Sequence, residues 1–571
     1  MPEVYQRHRN FILFCTFVLC LPALAAGLMG DDYLHYALLN ADIPIAKPDD
    51  LSLFGLFSFI NGDPERNRLL MDYSLIPWWT YAEMKYAFWR PLSEAFHWLD
   101  HRLWPHSPWL MHLHSILWYL LAVYLVSRLY RHFMGPTSMA LLALLLYALD
   151  STHGFTVSWI SNRNALHALV FALASMLLYV RWRDSDHISY LLGSLLTLAL
   201  ALLSAELGIS IFGYIGAYAL FLDRRGPVRG VLATIPHGLL IVTWWLIYKA
   251  AGFGAAHASG YYVDPAVEPL TFIAKAITRL PVLMASQWGI VPAEFYSLTG
   301  GDNTAYVIGC AIYLLIIIIP VLLPQLRDKS TGFWFFGMLF CLLPVLAAAP
   351  YDRLLLFPGI GASALLARFI HTLWIQKIRP RNLLLKSYSL AVFGLLVMLH
   401  LFLSPVLLPV MSYSTKIMAD QVDLTPTEFP GVEDIANKRL VLFSPPLASS
   451  VAIAAARFYR QEPIPQRIWT VTSRNGEMTI RKTGPNEVTV EREAGFISGQ
   501  VESAVRDLAR YPYRENDAVM LSGLSIRTRQ VDEKGRPHQL QLEFDAPVSA
   551  DDYLFLQWNK EDKAWHRIQL Q

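Results

Sequence analysis

The sequence predicts a polytopic α-helical membrane bundle of about eleven spans, followed by a C-terminal mostly-β (α+β) soluble domain. Three observations carry this. Of the 571 residues, 54% are hydrophobic and only 16% charged, well under the roughly 25% of soluble domains. Apolar runs of the length a bilayer requires, about 20 residues, recur from residue 11 to residue 410. After Pro409 the pattern changes to polar sequence with period-two alternation, which reads as strands.

The apolar runs fall near 11–29, 109–127, 137–150, 163–181, 187–204, 206–222, 229–250, 305–324, 332–350, 354–375 and 388–410. The first follows Arg7 and Arg9 and reads as an uncleaved helix, being longer than a signal-peptide core and lacking a convincing cleavage site. The third is short and borrows residues past Asp150, and the fifth and sixth form a hairpin with Glu206 at its outer turn. Lys and Arg collect in alternate short links, at 128–135, 181–186, 223–230, 325–330 and 368–386. Cytoplasmic loops carry such an excess, so the N-terminus is expected inside and the C-terminus outside.

Residues 1–411 are thus expected to be a transmembrane module with two long outer loops, 31–108 and 251–304, and 412–571 an outer soluble domain. In the first loop, 51–60 is too short to span, and 75–104 is rich in Trp, Tyr and Phe, which predicts interfacial helices. Gly252, Gly254, Gly260, Gly300 and Gly301 in the second suggest a mobile lid. In the soluble domain, 469–472, 478–481, 488–491, 539–544 and 553–557 alternate as strands. Turns are expected at Asn475-Gly476, Gly484-Pro485-Asn486 and Lys534-Gly535-Arg536, and a helix at 449–459. No hydrolase elbow, phosphate loop or zinc spacing occurs there, which predicts a binding or docking domain. Cys15, Cys20, Cys310 and Cys341 lie in apolar runs and read as small buried hydrophobes. A net charge of +2 says nothing of nucleic acid, and none is expected as a partner.

The ionisable residues of the bundle gather at its outer ends. Asp31 and Asp32 follow the first span in Gly30-Asp31-Asp32-Tyr33-Leu34-His35-Tyr36. Arg90 stands in Trp89-Arg90-Pro91-Leu92, and His112 and His114 enter the second span. Asp150 and His153 follow the third, Arg163 enters the fourth, Glu206 lies between the fifth and sixth, and Asp352 and Arg353 enter the tenth. Charges within hydrocarbon are expensive, so a one-sided set at the boundary suggests chemistry at the outer face. A transporter would more often place such groups near the midplane.

These residues resemble the GT-C superfamily of integral-membrane glycosyltransferases. The acidic pair after the first span is similar to that superfamily's main signature. Arg90-Pro91-Leu92 with His112 and His114, Trp159-Ile160-Ser161-Asn162-Arg163 and Asp352-Arg353-Leu354 resemble motifs of the protein O-mannosyltransferase-like branch. The resemblance covers roughly 10–375. A soluble domain after the bundle resembles the layout of bacterial lipid- and polysaccharide-modifying members. The departures are Ala205-Glu206, where a Lys-Glu pair is usual, and Leu354, where the motif has Tyr.

The resemblance implies transfer of a sugar from a polyprenyl-phosphate carrier to a glycan, lipid or protein acceptor, on the periplasmic side of a bacterial inner membrane. The acceptor hydroxyl loses a proton as it attacks, and Asp31 or Asp32 is the expected base. Arg353, then Arg163 and Arg90, are expected to bind the carrier phosphate, since a guanidinium meets phosphate oxygens with two parallel bonds. Glu206, Asp352, His114 and Asp150 are expected to support them. No cofactor is certain, and a divalent metal, Mg or Mn, held by Asp31 and Asp32 stays open. The rival readings are a lipid-linked glycan flippase, which should show repeat symmetry or mid-span polar groups, and an envelope-assembly scaffold.

Overall fold

The computed structural model describes residues 2–39, 55–289, 291–298, 303–377, 382–423, 429, 434–445, 453–473, 477–497, 500–549 and 551–570. The chain divides into two compact units. The first comprises 1–27, 89–252 and 268–415; the second comprises 28–88, 253–267 and 416–571.

The first unit is helical. Five helices among the described residues are long and apolar enough to cross a bilayer: Glu3–Ala25, Pro108–Met134, Ile160–Ser185, Pro227–Ala250 and Leu383–Ile417. The pair Ser138–Ala148 and Ser151–Ser158, bent by 42°, makes a sixth when taken together. The third apolar run thus continues past Asp150, with a break there. Ile188–Ser204, Glu206–Phe221, Thr304–Ile318 and Lys329–Val345 are apolar but shorter. The expected count of eleven is therefore not reached by length and apolarity alone.

Close helix packing here uses small residues, as bundles do where lipid supplies no hydrophobic drive between helices. A Cβ on Gly213 would stand 2.4 Å from the Cys341 nitrogen, and one on Gly361 would stand 2.5 Å from the Trp334 oxygen. Backbone carbonyls around the start of helix Pro358–Ile370 also take donors from other helices. Buried tyrosines supply them: Tyr147 donates to Leu356 O (3.0 Å), Tyr214 to Phe357 O (2.9 Å) and Tyr130 to Ile360 O (2.7 Å). Buried backbone groups are almost always paired, and these hydroxyls satisfy that demand across helices.

Among the described residues the second unit holds twelve strands: β1 Ser58–Asn61, β2 Lys85–Ala87, β3 Gly254–Ala256, β4 Arg439–Phe443, β5 Arg467–Thr472, β6 Thr479–Gly484, β7 Glu487–Glu491, β8 Ala518–Leu521, β9 Leu524–Val531, β10 Pro537–Phe544, β11 Tyr553–Asn559 and β12 Ala564–Arg567. They form three sheets, ordered β1-β2-β3, β6-β7-β10-β9-β8 and β12-β11-β4-β5. The five-stranded sheet is antiparallel, with the expected turns between β6 and β7 and between β9 and β10. In the four-stranded sheet β4 runs parallel to both β5 and β11, which local alternation could not reveal. The helix expected over 449–459 is seen as Ile453–Tyr459, its first residues lying outside the described ones, as do Asn475-Gly476, Gly300, Gly301 and 51–54.

Two expectations about the outer loops are corrected. The aromatic stretch at 75–88 is not an interfacial helix. Trp78 and Trp79 are 3% and 0% exposed and lie in the core of the second unit with Trp469, Leu440 and Leu542. Their indole N–H groups donate to Val471 O (3.0 Å) and Glu502 O (2.8 Å), because a buried tryptophan needs a partner for its one donor. The start of the second loop is not a loose lid either: β3 pairs with β2 through 254–256 and 85–87. Helix Pro91–Leu103 alone keeps the amphipathic form expected of the first loop.

Candidate functional site

Asp31 and Asp32 belong to the second unit, and the other candidates belong to the first. The pair opens helix Asp31–Leu39, where the helix dipole favours negative charge. The two carboxylates differ. Asp32 is 2% exposed, and its Oδ2 accepts the Met29 N–H at 3.0 Å, while its own N–H donates to Met29 O. Its carboxylate is thus committed in part to capping the turn. Asp31 precedes it, half-buried. Successive residues on a helix point about 100° apart, so the two carboxylates face different surroundings.

In the first unit Arg90 and Glu206 form an ion pair. Arg90 Nε and Nη2 each stand 2.9 Å from Glu206 Oε2, and both side chains are half-buried. Arg90 precedes the proline that starts helix Pro91–Leu103, and Ser93 fixes that helix by donating to Ser204 O (2.9 Å). Glu206 follows the end of helix Ile188–Ser204, so one contact joins the expected third phosphate ligand to the hairpin turn.

Arg163 is fully buried, and its donors are engaged. It pairs with Asp100, its Nε donates to Ser115 Oγ (2.8 Å) and its Nη2 donates to Met111 O (2.7 Å). His114 completes this cluster. Trp118 N–H donates to its Nε2 at 2.9 Å, so its proton sits on Nδ1 and is given to Asp100 Oδ1 at 2.9 Å. The nearby Arg163 Nη1 is then a second donor facing Nδ1, a contact and not a hydrogen bond. Burial works to raise the Asp100 pKa, but Arg163 and His114 together hold it below the ordinary carboxylate range. Asp100 was not among the expected site residues. Its one sequence signal is an acid within an aromatic-rich amphipathic stretch.

Asp150 lies at the break between Ala148 and Ser151. Its Oδ1 takes the Thr152 N–H (3.0 Å) and hydroxyl (2.8 Å), and its Oδ2 takes the Gln287 amide (3.1 Å). Asp352 turns toward the second outer segment, its Oδ1 accepting from Ser286 Oγ (2.6 Å) and Ala293 N–H (2.8 Å). With Gln287, His400 and Ser404, these two aspartates line a polar pocket. Arg353 is set differently from Arg163. It is half-buried, and its guanidinium carbon lies 4.9 Å from the Trp159 ring centroid and 4.8 Å from that of Tyr351. Cation–π contacts of this kind hold a guanidinium in place. Among the described residues no group of three or more His, Cys, Asp or Glu could hold a metal ion.

Residues 90–251 match the family model described as dolichyl-phosphate-mannose-protein mannosyltransferase. The match contains Arg90, His114, Asp150, Arg163 and Glu206, and the resemblance to GT-C glycosyltransferases is borne out there. No curated protein matches the chain. Among solved structures, the Archaeoglobus fulgidus oligosaccharyltransferase in complex with Zn and sulfate is 13% identical, with a TM-score of 0.41 over 78% of this chain and 61% of that one. ArnT from Cupriavidus metallidurans bound to undecaprenyl phosphate is 13% identical, with a TM-score of 0.36 over 93% of this chain and 97% of that one. The chain spans about three fifths of the length of that oligosaccharyltransferase. At these TM-scores neither likeness assigns an activity.

Proposed function

We propose that this multi-pass membrane protein is a glycosyltransferase that moves a sugar from a polyprenyl-phosphate carrier to a hydroxyl acceptor at the non-cytoplasmic face of a bacterial inner membrane. The observation that carries the reading is Arg353, a half-buried guanidinium held over Trp159 and Tyr351 in a link with no other basic residue. The inside-positive rule favours cations on the other side, so an arginine in this link serves something other than orientation. A phosphate engages a guanidinium through a charge-assisted fork contact. Asp31 is assigned as the base, because the Asp32 carboxylate is buried and partly taken by the Met29 N–H. It accepts the proton of the acceptor hydroxyl as the oxygen attacks the anomeric carbon, and the carbon–oxygen bond to the carrier phosphate breaks. Arg90, steadied by Glu206, is the second phosphate ligand, and His114 and Asp150 support the frame.

The test uses undecaprenyl phosphate and the purified full chain. Arg353→Ala should weaken binding roughly 10- to 100-fold, the worth of one charged hydrogen-bond contact, and Arg353→Lys should weaken it less. Unchanged binding in Arg353→Ala would make the arginine structural. The orientation is tested by cysteines introduced at 551–570, which should react with impermeant reagents from outside the cytoplasm; labelling from the cytoplasm alone would reverse it.

A further inference from the structure

The turn that carries Arg353 is tied to the second outer segment through two carboxyl groups. Asp352, 6% exposed, accepts from Ser286 and Ala293, and its own N–H donates to Glu294 Oε1 at 3.0 Å. That bond brings the Glu294 carboxyl against the residue that carries the second one, and the charge of Glu294 acts on Asp352. Among the described residues, no N–H or hydroxyl reaches the buried Oε2 of Glu294. Two carboxylates this close and this dry cannot both be ionised without strong repulsion, and a proton held between them removes it.

We propose that Glu294 and Asp352 share one proton and form a pH-sensitive clasp that positions the Arg353 turn. The surrounding charges agree. Asp150 adds negative charge near Asp352, and Arg353 is the cation that acts on Glu294. Tyr306 faces both acids, Cys310 lies beyond it, and His153 and His400 face Asp150. Burial, and then the Glu294 charge, push the Asp352 carboxyl up to about 7. Burial likewise raises Glu294. A folded-state pKa raised in this way gives stability that is fully present below the ordinary aspartate value. It is lost as pH rises through about 7. Glu294 is thus a positioning residue, acting on Arg353 through the backbone and side chain of Asp352.

The effect on a phosphate ligand rests on the function proposed above, whereas the clasp does not. Thermal unfolding of the detergent-solubilised full chain, followed from pH 5 to pH 9, is the test. The parent should lose stability steadily from pH 5 upward and level off near 7. Glu294→Gln removes the like charge, so its curve should level off roughly one pH unit or more lower. Asp352→Asn should show no transition in this range. A parent curve that matches Asp352→Asn, or a Glu294→Gln curve that still levels off near 7, overturns the clasp. Infrared difference spectra of the parent across the same range give a second reading if Asp352→Asn does not accumulate. The band of a protonated carboxyl should vanish through about pH 7, and its absence at pH 5 overturns the proposal. Undecaprenyl phosphate binding that is blind to Arg353→Ala, beside an intact pH transition, would sink the phosphate reading and leave the clasp standing.

Discussion

Arg163 and Arg353 stand near the same end of the helices in sequence, and their surroundings divide their roles. Arg163 has no exposed surface and meets Asp100, Ser115 and the Met111 carbonyl. Removing one partner of such a buried pair leaves the other charge uncompensated. Arg163→Ala should therefore destabilise the protein by about 3–5 kcal/mol. Asp100→Leu combined with Arg163→Met should recover much of that, read as melting temperature in detergent. If Arg163→Ala melts with the parent, Arg163 is not the strut described. Arg353→Ala loses two cation–π contacts and should shift stability by only about 1–2 kcal/mol. The sequence showed that charges collect at one end. It could not show that Arg163 is paired within the fold, because Asp100 lies 63 residues from Arg163 and outside every motif that drew attention. Glu294 was passed over for the same reason: its partner is 58 residues away.

At the scale of elements, hydropathy found the helices and alternation found the antiparallel strands. Both signals are local, set by side chains a few positions apart. The pieces that went astray depend on distant chain. The 75–88 stretch read as interfacial because its aromatics have no partner in their own neighbourhood, yet Trp78 and Trp79 bond to Val471 and Glu502. The small sheet β1-β2-β3 likewise joins strands from two loops. A consequence is measurable. Trp79→Ala removes a fully buried indole and its hydrogen bond from the second unit, and should destabilise that unit by about 3–5 kcal/mol. Limited proteolysis of the full chain should then cut within 434–570 at lower denaturant than in the parent. Equal resistance in the two proteins would remove Trp79 from the core of that unit.

For the whole molecule, the sequence yielded a helical bundle with β structure after it, and residues 90–251 carry the family match. It did not yield the division observed, in which 28–88 and 253–267 fold with 416–571. Composition marks where polar sequence begins, near Pro409, but not that earlier outer segments complete the same core. Asp31 therefore lies in the second unit while Arg90, Glu206 and Arg353 lie in the first. The central claim of the proposed reaction is the carboxylate base. The most direct measurement is release of undecaprenyl phosphate from a panel of undecaprenyl-phosphate monosaccharides, with acceptors supplied as a membrane extract. The parent should turn over at least one donor, and Asp31→Asn, folded as judged by its melting curve, should be slower by roughly 10²- to 10⁴-fold. Undiminished release by both Asp31→Asn and Asp32→Asn would contradict the account.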